Sequence, residues 1–278
     1  MTTNTEEVTI LSDSRKLYGK LWLAGDDEPI IMLLPGVGFH TFEYEALATQ
    51  LVKRGFNCLA FDYRGHGRSE GKRGVWRLQD LTDDTRCAVD YAAARFKGEI
   101  GIFGNSLGAM VGANAAAQDE RITALVISTC PTKVASFMFN PLRKFLFFLA
   151  KLVPAIIPLR ISLNHFYSYR QLIDDQKLVA TITADALVTD ARRLSVTAYR
   201  ALLDEWDGAD AISKVHIPLL ILQGKNDHFQ PPEEANKLYA AANEPKELKF
   251  IETGHLPHLE NPEFTAGILA KWFHRLVG

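Results

Sequence analysis

The sequence predicts an α/β fold in which a mostly parallel sheet carries helices on both faces and is interrupted by one helical insertion. Three observations predict it. Continuous apolar runs at 30–34, 57–61, 122–128 and 219–222 have the composition of strands buried on both faces. Segments of helical spacing alternate with them, at 42–54, at 78–96 and again after Ser106. The alternation stops after Cys130-Pro131, where 132–211 carries helical patterns and no convincing strand, and resumes at Pro218. For 278 residues the expected organisation is one large domain built from 1–130 and 212–278, with 131–211 as a helical cap over one end of the sheet.

Taken in order, 8–11 and 17–23 read as an edge hairpin about the polar turn Ser12-Asp13-Ser14. Asp26-Asp27-Glu28-Pro29 turns the chain into 30–34. Phe42, Leu47, Leu51 and Val52 share one face of the next helix, and Gly55 ends it. The strand 57–61 leads into a glycine-rich loop, Asp62-Tyr63-Arg64-Gly65-His66-Gly67-Arg68-Ser69. Asp80, Asp83 and Asp84 sit near the positive end of the helix over 78–96. Inside the insertion, 137–159 is unusually apolar, with Arg143, Lys144 and Lys151 interspersed. The later pieces 172–187 and 191–203 have ordinary amphipathic spacing. After the strand at 218–222, a helix over 232–241 opens on Pro-Pro, 247–251 is a strand, and 262–276 closes the chain as a helix.

Composition removes several classes of function. A net charge of −2 with no basic tail argues against nucleic acid as a partner. Three widely spaced cysteines, Cys58, Cys87 and Cys130, suggest no disulfide framework and fit a reducing, cytoplasmic setting. Residues 1–7 are polar and acidic and lack the pattern of a signal peptide. The stretch 145–159 is broken by Lys151, Pro154 and Pro158 and is too short to span a bilayer. His40, His165, His216, His228 and His274 show no ligand spacing, so no metal is expected.

The chemistry centres on Gly104-Asn105-Ser106-Leu107-Gly108, which follows an apolar run and precedes a run of small residues. This reads as strand, sharp turn, helix. The glycines remove side chains where strand and helix pass closest, so the turn can be tight. The turn would push the Ser106 hydroxyl out of the sheet and leave the Leu107 N–H unpaired at a helix start. A serine needs a base, and the base needs an orienting acid. Asp227 follows the strand at 219–222, and His255 follows the strand at 247–251. In a parallel sheet both strand ends lie at the edge that carries Ser106. Taken alone, Asp227 could cap the next turn, and His258 is a rival base. Together, the order Ser106, Asp227, His255 is that of the α/β-hydrolase fold. A second oxyanion donor should come from the loop after 30–34, with Val37 the first choice and Gly38 the alternative.

With these motifs in place, the sequence resembles the α/β-hydrolase-fold serine hydrolases over nearly its whole length. It is most similar to the monoacylglycerol lipase/lysophospholipase-like esterases. The carrying segments are Leu34-Pro35-Gly36-Val37-Gly38, the loop from Asp62 through Gly71, Gly104 to Gly108, Gly224-Lys225-Asn226-Asp227 and Gly254-His255. The resemblance implies hydrolysis of a small or lipid-like ester beneath a helical cap, with no cofactor or metal. It implies that Arg64, His66 and Arg68 brace turns rather than bind an anion. One departure stands out: Pro35 replaces the histidine that usually precedes Gly36. Proline offers neither an imidazole nor an N–H to steady the loop.

The apolar segment 137–159 is expected to pack on the sheet domain and line an acyl pocket, with contact to a lipid interface as the competing reading. Medium- to long-chain monoacyl esters follow as the expected substrates. Acyl transfer, cofactor-free perhydrolysis and carbon–carbon bond hydrolysis use the same triad and stay open. An Asp-nucleophile dehalogenase or epoxide hydrolase is disfavoured by Ser106 itself, and a non-catalytic binding protein would not need all three residues.

Overall fold

The computed structural model describes residues 3–134, 160–165, 168–173 and 175–275. Its main sheet has eight strands in the order β1-β2-β4-β3-β5-β6-β9-β10. These are β1 (Asn4–Ser12), β2 (Arg15–Leu23), β3 (Ile30–Leu34), β4 (Asn57–Phe61), β5 (Ile100–Asn105), β6 (Ile122–Ser128), β9 (Leu219–Gly224) and β10 (Lys246–Ile251). Strand β2 runs antiparallel to β1 and β4, and the remaining neighbours are parallel. The order steps outward from β3 in both directions, so the loops after β3 and β5 lie side by side at the carboxyl edge, where ligands bind in such sheets.

The continuous apolar runs arise because each strand feeds two cores. Ile30, Met32 and Leu34 of β3 join one apolar cluster, while Ile31 and Leu33 join the other. The first cluster takes in Leu81, Ala88 and Val89 from α2 (Leu78–Arg95) and Ala109 and Val111 from α3 (Leu107–Ala116). The second takes in Leu47 and Leu51 from α1 (Glu45–Val52) and Leu269, Trp272 and Phe273 from the closing helix Pro262–His274. Helices therefore cover both faces, as the sequence predicts. The helix expected over 42–54 divides: Thr41–Tyr44 is a tighter 3-10 turn and α1 begins at Glu45.

The segment between β6 and β9 departs from expectation. Among its described residues are two short strands, β7 (Arg160–Ser162) and β8 (Arg193–Ser195), paired antiparallel. Runs of three residues are too short to show an alternation, so they leave no periodic signal. The amphipathic stretch at 172–187 resolves into helices Gln176–Ala184 and Ala186–Ala191, broken at Asp185, whose carboxylate caps the second by accepting the Leu187 and Val188 N–H groups. Ser195 likewise caps the helix Val196–Asp204. Leu163, Leu172, Ile182, Leu194 and Tyr199 are buried in the same cluster as Leu34, Leu107 and Ile127, so this segment packs directly onto the sheet's core. The apolar segment 137–159, and with it the expected pocket lining or lipid contact, lies outside the described residues. Among the described residues no helix is long and apolar enough to cross a membrane.

Candidate active site

Ser106 stands between β5 and α3 with φ 54° and ψ −112°. A non-glycine residue there is strained, by about 1–3 kcal/mol, and such strain gathers at functional turns. The flanking glycines show why the turn needs them. A Cβ on Gly104 would lie 2.2 Å from the Gly108 carbonyl oxygen, and one on Gly108 would lie 1.9 Å from that of Leu34.

His255 and Asp227 meet as expected from their strand ends. His255 Nδ1 lies 2.7 Å from Asp227 Oδ2, with the residues 3% and 6% exposed. Burial alone would push the Asp227 carboxyl up. The His255 charge and hydrogen bond, with the N–H groups of Gln230 and Phe229 on Oδ1, outweigh it and hold the group below the usual carboxylate range. The acid is therefore ionised, and the His255 ring nitrogen that faces it is Nδ1, with Nε2 on the far side of the ring. Ser106 and His255 line one cavity together with Gly36, Val37 and Leu256. The backbone of His255 is fixed on two sides. Its carbonyl accepts from Asn105 Nδ2 and Thr129 Oγ1, both at 3.1 Å, and its N–H donates to the Leu172 carbonyl at 3.0 Å. His258, the rival base, faces away: its Nε2 lies 3.1 Å from Glu43 Oε2, and both side chains are fully buried.

The loop after β3 closes a turn in which Phe39 N–H donates to the Gly36 carbonyl at 3.1 Å, and Gly38 adopts φ 81°. That is the positive φ a type II turn needs at its third residue. Among the described residues, neither Val37 N–H nor Leu107 N–H takes a hydrogen-bond partner. Val37 lines both cavities that contain Ser106, whereas Gly38 packs against Arg192.

Glu43 is the residue that sequence reasoning missed. Its Oε1 accepts the Gly36 N–H at 3.1 Å, and Tyr44 Oη donates to the Leu34 carbonyl at 2.7 Å. The loop that Pro35 cannot brace is thus braced from the next turn, with His258 behind it. Nothing in the sequence marks Glu43, because an acid near a helix start reads as a complement to the helix dipole. His40 also leaves solvent: its Nε2 lies 2.9 Å from Asp185 Oδ2, which ties this loop to the segment between β6 and β9.

The glycine-rich loop after β4 is held by internal bonds. Asp84 accepts from Ser12 Oγ at 2.6 Å, from Arg64 N–H at 2.9 Å and from Arg64 Nη2 at 2.6 Å. Asp62 accepts the Thr41 and Arg68 N–H groups, each at 2.7 Å. His66 is fully buried, its Nδ1 lies 3.2 Å from the Arg64 carbonyl oxygen, and burial pulls its pKa down to about 4.

A second, apolar cavity touches Ser106 and Leu107 and is walled by Val37, Met110, Leu163, Leu202 and Phe229, with Gln230 as a polar member. A wider charged groove lies at the opposite edge of the sheet, beside 116–121 and Lys214. Arg121 there pairs with Asp119 and Asp90, and Lys214 with Asp210.

Comparison with known proteins places the chain in a family. Residues 25–261 match the Hydrolase_4 model, described as serine aminopeptidase, S33. Monoglyceride lipase from Homo sapiens is 28% identical over 275 residues, covering 95% of this chain and 86% of that protein. A 31.7 kDa protein encoded in the traX-finO intergenic region of Escherichia coli is 26% identical, over 89% of this chain and 91% of its own. Among solved structures, a soluble variant of monoglyceride lipase from Saccharomyces cerevisiae, in complex with a substrate analogue, superposes with a TM-score of 0.84 at 19% identity, covering 100% of this chain and 97% of that one. Monoacylglycerol lipase from Paleococcus ferrophilus superposes with a TM-score of 0.75 at 23% identity, over 92% and 97% of the two chains. With a family model spanning most of its length and an α/β-hydrolase sheet beneath it, the chain belongs to the S33 serine aminopeptidase family of α/β-hydrolases, close to the monoacylglycerol lipase-like esterases.

Proposed function

We propose that this ester hydrolase forms an acyl-enzyme on Ser106 and acts on medium- to long-chain monoacyl esters. The observation that carries the reading is that Ser106, His255 and Val37 line one cavity, with Asp227 bonded to His255 at 2.7 Å and Leu107 beside Ser106 in the adjoining cavity. In the first half-reaction His255 Nε2 takes the Ser106 proton as Oγ attacks the ester carbonyl. Asp227 holds the imidazole and stabilises its cation, and the two N–H groups receive the oxyanion. Collapse expels the alcohol, which leaves with the proton from Nε2. Water then enters, gives its proton to His255 and releases the carboxylic acid, restoring Ser106.

The apolar wall of the neighbouring cavity supports an acyl substituent. Its volume is about 30 Å³, so a long acyl chain requires the wall of this cavity to open. An exopeptidase that binds a free amino terminus would need a carboxylate near the serine. Among the described residues that line this cavity none carries one, which favours esters over peptides. We assign 131–211 to the cap. We place the protein in a reducing, cytoplasmic compartment, a reading supported by three free cysteines, two of them buried.

The test is Ser106→Ala together with a fluorophosphonate probe. The wild-type protein should be labelled at Ser106 and should hydrolyse nitrophenyl and monoacylglycerol esters across a chain-length series. The folded variant should do neither. Ester turnover by Ser106→Ala would overturn the nucleophile, and activity confined to acetate would overturn the chain length.

A further inference from the structure

We propose that Gln230 is a hydrogen-bond acceptor for a hydroxyl group of the substrate and so biases the enzyme towards hydroxylated esters. The proposal rests on reading Ser106 as the nucleophile. Gln230 is 1% exposed and forms part of the wall of the apolar cavity that contains Ser106. It is held firmly there. Its backbone N–H donates to Asp227 Oδ1 at 2.8 Å, and its Nε2 donates to the Cys130 carbonyl at 3.0 Å and to Gln223 Oε1 at 3.3 Å.

These bonds also fix which way the amide points. Gln223 Nε2 is committed to acceptors, the Gly224 carbonyl at 3.1 Å and Asp227 Oδ2 at 3.4 Å. Gln223 therefore presents its oxygen to Gln230, and Gln230 must answer with nitrogen. The atom left over is Gln230 Oε1, which is buried and has no hydrogen-bond partner. A buried amide oxygen without a donor is disfavoured in a folded protein, and such an atom in a site wall calls for a reason. A donor delivered by the ligand supplies one. An O–H group fits, because a donor is required and the side chains of Val37, Met110, Leu163, Leu202 and Phe229 around it are apolar. The anchor on Asp227 sets this acceptor at a fixed position relative to His255, so the contact can discriminate without ordering a loop.

The hydroxyl could belong to the alcohol half of the ester or to its acyl half. Two substrate pairs separate these sources: a monoacylglycerol against the propyl ester of the same acid, and the nitrophenyl ester of a hydroxylated acid against that of the plain acid. In each pair the hydroxyl-to-deoxy ratio of kcat/KM is measured for the wild type and for Gln230→Met. One neutral hydrogen bond corresponds to a fall in that ratio of about tenfold in one of the two pairs. Gln230→Asn, which keeps the amide but withdraws its oxygen by one carbon, should lower the same ratio and serves if the methionine variant does not fold. Ratios unchanged in both pairs, with Ser106 still labelled by a fluorophosphonate, would overturn this assignment alone. Loss of labelling in the wild type would remove the nucleophile and this proposal with it.

Discussion

Removing the Glu43 carboxylate should slow turnover without weakening substrate binding. Glu43 Oε1 holds the Gly36 N–H, the residue before the proposed donor Val37, and Oε2 holds His258. Glu43→Leu leaves both partners buried and unpaired, a penalty of about 1–3 kcal/mol for each. That is within reach of a domain stable by about 5–15 kcal/mol, so the protein should fold but melt lower. The catalytic effect is separate. Outright loss of one oxyanion donor slows catalysis about 100- to 1000-fold, and a displaced donor should fall short of that, at about 10- to 100-fold in kcat. KM should hold, because the ground-state carbonyl gains little from the donor. Glu43→Gln keeps an oxygen for Gly36 and should recover most of kcat. The assay is steady-state kinetics on a nitrophenyl ester, with binding of a boronic acid as a transition-state mimic and a thermal melt beside it. A folded Glu43→Leu protein with wild-type kcat would refute the argument. So would a loss that glutamine fails to recover.

Two further predictions follow from burial and close contact. His66 is neutral in the fold, with its pKa pulled from 6.5 down to about 4 by burial. A depressed histidine contributes stability that is complete above 6.5 and is lost as pH falls from 6.5 towards 4, by about 3 kcal/mol in all. Melting temperature followed over that window should decline in the wild type and decline less in His66→Asn; parallel curves would remove the assignment. Gly108→Ala puts a Cβ 1.9 Å from the Leu34 carbonyl oxygen, where backbone must move. It should abolish fluorophosphonate labelling of Ser106 or prevent folding, and full labelling in a folded variant would show that the turn tolerates a side chain.

The legible parts of the sequence are those whose cause is local or repeated. Doubly buried strands write continuous apolar runs, and the tight serine turn writes its two glycines. Asp227 and His255 were legible because parallel strands end at one edge. Where the cause is a distant partner, the sequence is silent. β7 and β8 hold three residues each and are defined by each other. Glu43 takes its meaning from His258, far along the chain and fully buried beside it, so neither announces the pair. Asp84 reads as a helix-start acid, yet it is buried at the centre of the Ser12–Arg64 contacts. Gln230 looks like a turn residue until its nitrogen is traced to Cys130 and its oxygen is left with nothing.

The bond from His255 N–H to the Leu172 carbonyl has a consequence for recombination among these proteins. The segment between β6 and β9 supplies Leu163 and Leu202 to the wall of the apolar cavity, so exchanging it whole is an obvious route to new selectivity. Here that segment also supplies the acceptor for the backbone of the proposed base. A graft that moves the backbone at position 172 would leave the His255 N–H without its acceptor, and the His255 backbone held only at its carbonyl by Asn105 and Thr129. Such chimeras would lose rate for every substrate alike, and the loss would be mistaken for a poor pocket. Keeping 168–173 from this chain at the graft junction preserves the tether and lets selectivity be changed by itself.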